Sequence, residues 1–318
     1  MPLHSLYGAI FTHLGLYCRA ACLGRAPARD ALPGPGRYGI RPLSYPTGDI
    51  TMKIRLPLLA VALAAMPTLV LAQSASEPAP LCTDRPTKAT AACTVPAGSF
   101  QMETDLPSFT RLDDGGTRTD TILYANPTLK LGLGPNTDIQ ANIAPYVDIR
   151  TRTGGIVSNI QGVGDLFVRL KQRLTDPAAK VQIAVVPYVK VPIAKRGIGN
   201  REWEGGVVVP VVFSLPQSFT LTFGPELDVL ADGAGSGKHV QLVGVVNIGK
   251  SLSSRLTATA ELWTAQNYDP AGTVHQYSAD GALTYLFTPT LQFDVGANFG
   301  LNSATPGIQI IFGLATRF

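Results

Sequence analysis

From residue 99 to its end the chain alternates apolar and polar side chains with period two, in run after run separated by turn residues. Successive strand side chains point to opposite faces, so the pattern dictates strands with one apolar and one polar face. Twelve strands are predicted, at 99–109, 118–131, 137–149, 162–174, 180–193, 204–215, 218–230, 238–250, 254–266, 273–287, 290–301 and 306–318. In 290–301, Leu291, Phe293, Val295, Ala297, Phe299 and Leu301 oppose Gln292, Asp294, Gly296, Asn298 and Gly300. In 218–230, Phe219, Leu221, Phe223, Leu227 and Val229 oppose Ser218, Thr220, Thr222, Glu226 and Asp228. No stretch keeps a 3.6-residue period, so the expected class is all-β.

Alternation alone does not say whether the apolar face is a core or an exterior. The connections decide. Every other one is short (132–136, 176–178, 216–217, 251–254, 288–289), and the others, such as 151–161, 194–203 and 231–237, are longer and polar or Gly-rich. Sorting of loops by side is a property of transmembrane antiparallel up-and-down barrels, whose apolar face meets lipid and whose polar face lines a lumen. The final run, Ile308 to Phe318, places Ile308, Ile310, Phe312 and Leu314 on one face and ends on a bare aromatic. A terminal phenylalanine gains nothing by fraying into water. It looks like the closing-strand signal of bacterial outer-membrane barrels, which implies outer-membrane lipid and the barrel assembly machinery as partners. Phe100, Phe213, Phe219, Tyr285, Phe287 and Phe293 fall near the same strand ends as Phe318, as an interfacial girdle requires.

The N-terminal region has a different composition. Seven of the 26 basic residues but two of the 22 acidic ones fall in 1–72, which leaves 19 basic and 20 acidic residues beyond. The basic balance belongs to the leader, and nucleic-acid binding is excluded on charge grounds. Lys53 and Arg55 followed by the apolar run Leu56–Leu71 and by Val70-Leu71-Ala72 read as a signal peptide over 52–72, cleaved after Ala72. Residues 1–51 are rich in Arg, Gly and Pro without periodicity and read as an upstream extension from a misassigned start. Residues 73–98 are expected to form a periplasmic segment in which Cys82 and Cys93 pair, since an exported protein oxidises such thiols. The barrel is then 99–318.

Cys82-Thr83-Asp84-Arg85-Pro86-Thr87-Lys88, Cys93-Thr94-Val95-Pro96-Ala97-Gly98 with Gln101-Met102-Glu103, and Gly162-Val163-Gly164-Asp165-Leu166-Phe167-Val168-Arg169-Leu170-Lys171 resemble a family of outer-membrane transporters labelled "MetA-pathway of phenol degradation". The resemblance spans roughly 82–318 and implies a channel-like barrel, without naming a solute.

Three related stretches, Ala144-Pro145-Tyr146-Val147-Asp148, Val186-Pro187-Tyr188-Val189-Lys190 and Gly224-Pro225-Glu226-Leu227-Asp228, put a proline on outward parity and polar residues toward the lumen. Proline lacks a ladder donor, so local breaks in pairing are expected there. The predicted lumenal belt is Tyr146, Asp148, Tyr188, Lys190, Glu226 and Asp228, with Glu261 and Trp263, and it would filter solutes by size and charge. Duplicated hairpins would leave the same pattern with ordinary packing. A second set, Asp165, Arg169, Lys171 and Arg173, is expected as a ladder, with Glu103, Asp105, Asp138, Asp280 and Asp294 also inward. Charges of both signs must pair or stay hydrated.

An enzyme is not indicated. The mature chain offers His239 and His275, with Gln241 and Tyr277 where a barrel phospholipase would carry serine, and no G-x-S-x-G. No metal-binding spacing or phosphate-cradling motif is present, and no cofactor is expected. The reading is an outer-membrane channel for small-molecule solutes, with hydrophobic or aromatic compounds as candidates, by passive or facilitated diffusion. The alternative is a structural or adhesion barrel. Peptide mass spectrometry of the native protein is expected to yield no fragment from 1–51.

Overall fold

A computed structural model describes residues 79–234 and 236–318. The upstream extension and the signal peptide expected over 1–72 lie outside these residues. Twelve strands follow one another: β1 Phe100–Asp114, β2 Thr117–Ala125 with Thr128–Gly134, β3 Thr137–Ile143 with Tyr146–Thr153, and β4 Ile156–Gly162 with Leu166–Arg173. They continue as β5 Val181–Val191, β6 Glu204–Val208 with Val211–Leu215, β7 Phe219–Phe223 with Glu226–Ala231, and β8 Lys238–Ser251. The last are β9 Leu256–Asn267, β10 Val274–Thr288, β11 Leu291–Gly300 and β12 Ile308–Arg317. Among the described residues the sole helical element is a one-turn 3₁₀ segment, Pro216–Ser218.

Each strand pairs antiparallel with its sequence neighbours, and β12 pairs with β1, from Gln101↔Arg317 to Arg111↔Ile308. That pairing closes the sheet and leaves no edge strand to aggregate. At the seam the Phe318 amide donates to the Phe100 carbonyl (2.8 Å) and the two rings lie 6.0 Å apart. Phe318 is 75% exposed and points outward, in line with Phe312.

Breaks in pairing occur at two of the three prolines singled out above: β3 is interrupted between Ile143 and Tyr146, and β7 between Phe223 and Glu226. β5 runs on through Pro187. The break in β3 belongs to a larger feature. Inward-facing positions are Gln101, Glu103 and Asp105 in lower β1, then Ser108, Thr110 and Leu112 above a register shift. β2 shifts register between Leu123 and Ala125. In β3 the buried set passes from Asp138, Gln140, Asn142 and Ala144 to Val147 and Ile149. One inserted residue moves every later side chain to the other face. β1 to β3 therefore turn inside out at one level, and β4 is interrupted there between Gly162 and Leu166.

Above that level the expected loop 151–161 is instead strand. β3 and β4 continue to Thr153 and from Ile156, joined by Gly154-Gly155, as β1 and β2 are by Gly115-Gly116. All four glycines have φ between +53° and +86°, which a two-residue hairpin turn requires and side chains resist. Polar composition had suggested a loop; cross-strand Thr, Asp and Arg pairs hold it as a ribbon.

The outward band of Leu129, Leu131, Ile139, Leu170, Val246, Ile248, Leu283, Val295 and Phe312 is exposed on the isolated chain, as a lipid-facing belt must be. Phe312→Arg, at the middle of β12, is expected to cost about 2–4 kcal/mol. Urea titration of the folded, heat-modifiable gel band would measure it.

Candidate functional site

The lumen is occupied by the chain itself. Residues 79–98 enter at the rim carrying Phe100 and Phe318, where Arg317 donates to the Pro80 carbonyl (3.0 Å) and to that of Ala79. They rise to Lys88–Thr90, turn, and return to bridge Ala97 to Gly132 before β1 begins. Cys82 and Cys93 are joined by a disulfide that ties the two legs together. The segment expected as a periplasmic appendage is thus, over 79–98, a plug within the barrel.

Its charged side chains find partners on the inner wall. Asp105, Gly313 and Asp294 stand directly across from one another on β1, β12 and β11. Arg85 lies over the glycine between them, donating from Nη1 to Asp105 (2.6 Å) and from Nε and Nη2 to Asp294 (both 2.9 Å). A Cβ on Gly313 would sit 1.7 Å from Arg85 Nη2, so the position admits no side chain. The same holds at Gly132, where a Cβ would meet the Pro96 carbonyl oxygen at 2.0 Å.

Lys88 reaches Asp280 (2.5 Å) and Ser278 (2.8 Å), and its Nζ lies 5.1 Å from the Trp263 ring centroid. Glu261 accepts the backbone amides of Lys88 and Ala89, both at 2.9 Å, and a third bond from Asn247. Asp84 pairs with Lys130 (2.6 Å) and Lys171 (2.7 Å), and Lys130 also meets Glu103 (2.5 Å). The Val95 amide donates to Asp138 (2.9 Å). Ala89 packs on Val243, Val245, Trp263 and Ala265.

These groups are buried, so their balance is electrostatic. Burial raises the Asp84 carboxyl, but Lys130 and Lys171 overcome it and hold Asp84 well below the usual carboxylate range. Burial opposes the charge on Arg85, yet Asp105 and Asp294 raise its pKa further. For Lys88 burial wins and its ammonium pKa is lowered despite Asp280. Such pairs persist because geometry and extra hydrogen bonds repay desolvation; removing one member leaves a bare buried charge.

The expected site residues separate into three groups. Asp280, Asp294, Glu261 and Lys171 bind the plug. Tyr188, Glu226 and Asp228 form a cluster on β5 and β7: the Tyr188 hydroxyl donates to Asp228 (2.6 Å), as does Gln241 (2.9 Å), while Glu226 is buried beside them. Lys190 pairs with Glu204 (2.7 Å) and, more loosely, Asp165 (3.7 Å), which caps the Ala194 amide (2.9 Å). Arg173 donates to the Pro135 carbonyl and Asn136, and Arg169 lies 6.0 Å from the Phe167 ring centroid. The ladder of Asp165, Arg169, Lys171 and Arg173 therefore points inward without pairing within itself.

Tyr146 and Asp148 require correction. The parity inversion in β3 turns them outward, where Tyr146 packs on Tyr124 (5.4 Å) and Asp148 accepts from Gln161 (2.7 Å). Inside, at that height, are Leu123, Ala144, Val147, Ile149 and Ile160, covered by Ala194 and Ile198 of the 194–203 loop.

Sequence reasoning missed Asp84, Arg85, Lys88 and Lys130. The signal was an imbalance: β1 and β9 to β11 carry five inward carboxylates of which only Glu103 has a wall lysine, Lys130, beside it, and a short disulfide loop bearing Arg and Lys precedes β1. Among the described residues, one group could hold a metal: Asp232, His239 and Asp269 near the far rim. Their hydrogen bonds are His239–Asp232 (2.9 Å) and the Gly233 and Ala271 amides on Asp269 (both 2.8 Å), and among the described residues the buried His239 Nε2 has no hydrogen-bond partner.

Residues 83–318 match the family described as "Putative MetA-pathway of phenol degradation", and the chain belongs to that family. Among solved structures it is similar to the COG4313 outer membrane channel from Pseudomonas putida F1, at TM-score 0.59 and 11% identity, covering 71% of this chain and 98% of that one. Weaker likeness links it to the NanC porin (TM-score 0.45, 8% identity, 68% and 98% covered) and the CymD monoaromatic hydrocarbon channel (0.38, 10%, 70% and 88%). No curated protein matches it in sequence. The fold is that of an outer-membrane β-barrel.

Arg85→Gln leaves Asp105 and Asp294 buried without a cation, a loss of about 3–5 kcal/mol. Faster amide exchange over 83–93, read by hydrogen-exchange mass spectrometry, is the expected result. Asp84 titrates below its unfolded value of 3.8, so its contribution is complete above that value and lost only as the pH falls through the depressed pKa. Protection due to this group should therefore stay level from neutral pH down to that value.

Proposed function

We propose that the protein is an outer-membrane channel for small molecules, apolar or aromatic ones foremost, which diffuse passively past the plug. It is exported by the 52–72 signal, inserted by the assembly machinery through the strand ending at Phe318, and holds its termini in the periplasm. The observation that carries the reading is the plugged lumen. Between the plug and the wall at Gln140, Arg169, Tyr188 and Glu226 there remains about 20 Å³, room for one water. A larger space of about 200 Å³ separates the plug from Gln182, Val212, Thr220, Thr222 and Asn247.

Gaps of this size exclude a solute that keeps its hydration shell. Stripping a hydroxyl or charge of water costs several kcal/mol unless new hydrogen bonds form, whereas an aromatic ring loses little. The family's description, drawn from phenol degradation, points the same way. In this reading Tyr188, Lys190, Glu226 and Asp228, with Asp165, Arg169 and Arg173, set the charge of the wall beside the plug. Glu261, Asp280, Asp294 and Lys171 set how firmly the plug sits.

Proteoliposomes should take up phenol-sized aromatics while excluding mono- and disaccharides. Arg85→Gln should raise ion conductance and admit the smaller sugars. Asp228→Asn and Tyr188→Ala should change ion selectivity without moving the plug. Uptake of sugars by the wild type at open-porin rates would sink the proposal. A failure of both solute classes to move, in wild type and Arg85→Gln alike, would leave a non-transporting structural barrel.

A further inference from the structure

The inversion of β1 to β3 has a consequence outside the barrel. Tyr124 and Tyr146, 52% and 42% exposed, pack together on the outward face below the protruding hairpins, with Phe109 and Ile122 one rung higher. Tyrosine places its ring at the boundary between hydrocarbon and headgroups, so this pair marks the level of the membrane surface. One residue past Tyr146 on the same outward face comes Asp148, then Arg150 and Arg152. Across the ladder stand Asp120 and Arg118 on β2, with Arg111 and Asp113 on β1. The outer face passes from the tyrosines through a mixed rung of Phe109, Ile122 and Asp148 to the charged rung of Arg111, Asp120 and Arg150.

Four arginines and four aspartates meet there, and the arginines are unevenly placed, crowding towards Asp120. Arg111 Nε meets Asp120 Oδ1 at 2.7 Å, and Arg152 takes the second oxygen of the same carboxylate. Arg150 lies directly opposite Asp120 in register, makes no ion pair among the described residues, and is exposed. Two arginines thus hold one aspartate, and a third stands opposite it in register with its guanidinium unpaired. Arg118 holds Asp113 at 2.8 Å, both well exposed. Between the two glycine turns a depression of about 500 Å³ is lined by Arg118 and Arg152 together with Asp113 and Asp114. Ion pairs this open to solvent contribute little, so they yield readily to a stronger anion. Phosphate is that anion: guanidinium binds it through two parallel hydrogen bonds, and Arg150 has its donors free.

We infer that the outward faces of the two protruding hairpins, through Arg111, Arg118, Arg150 and Arg152, bind the phosphorylated headgroup of the glycolipid in the outer leaflet. The tyrosine pair would rest on its acyl region and the arginines on its phosphates. Position selects a lipid over a dissolved ion: the cluster faces sideways over the membrane rather than into the lumen, whose inner face at this height is apolar.

The test uses the full folded chain in mild detergent, with heat-modifiable mobility as the fold check, and native mass spectrometry to count bound lipid. The probes are vesicles of phosphorylated outer-leaflet glycolipid, matched vesicles of its dephosphorylated form, inner-leaflet phospholipid vesicles, and inorganic phosphate. Wild type should retain the phosphorylated form roughly 10-fold better than the dephosphorylated one. Arg150→Gln, which breaks no internal contact, should lose most of that preference. Arg150→Lys should keep part of it, and Arg118→Gln/Arg150→Gln/Arg152→Gln should abolish it. Arg201→Gln, outside the cluster, should behave as wild type. Equal retention of both glycolipid forms, an unchanged Arg150→Gln, preference for phospholipid, or full competition by millimolar phosphate would each overturn the inference.

Discussion

Two carboxylates facing each other across a single strand, in a lumen too narrow to hydrate them, need a cation between them. Arg85 supplies it from the plug inside the lumen, resting on Gly313 with Asp105 on one side and Asp294 on the other. The strand it crosses is β12, the one that closes the sheet against β1. One guanidinium therefore ties together the plug, the closing strand and both of its neighbours. Much else follows from that placement. With Arg85 fixed, Lys88 falls beside Asp280 and the plug's backbone amides meet Glu261, while Asp84 comes between Lys130 and Lys171. Neutralisation is shared between plug and wall, so neither half is satisfied alone.

That division of charge also explains what the lumen offers a solute. The wall charges that would form a hydrated, ion-conducting surface are largely spent on the plug. What remains on the wall is a polar cluster at Tyr188, Glu226 and Asp228, with the apolar clusters around Trp263 and Val147 packed under Ala89 and under Ala194 and Ile198. A porin keeps its charges wet; here they are dry and paired.

The inversion of β1 to β3 is a second constraint with effects on both faces. Without it, Val147 and Ile149 would face outward and Arg150 and Arg152 inward. With it, the upper lumen gains an apolar lining and the outside gains a charged ribbon above the tyrosines. The period-two pattern was legible along these strands, but its phase was not. Pro145 was recognised as a break in the ladder, and the residues after it were still assigned by unbroken parity, which put Tyr146 and Asp148 on the wrong face. Proline and glycine report that pairing is disturbed without reporting whether a residue is inserted. That depends on the partner strand's register, which local sequence does not encode.

The linear pattern determined the number of strands, their antiparallel order, the outward belt, the closing role of the Ile308–Phe318 run and the Cys82–Cys93 pairing. Each rests on interactions between residues near in sequence or on one periodicity repeated, so each is visible before folding. Where the N-terminal segment goes was decided only in three dimensions. Asp84, Arg85 and Lys88 lie up to two hundred residues from the carboxylates and lysines they meet, and each alone looks like an ordinary surface charge. Their burial becomes favourable once twelve strands have brought Glu103, Asp105, Glu261, Asp280 and Asp294 around one narrow space. Coulomb energy depends on distance in space, and closure of the barrel sets that distance.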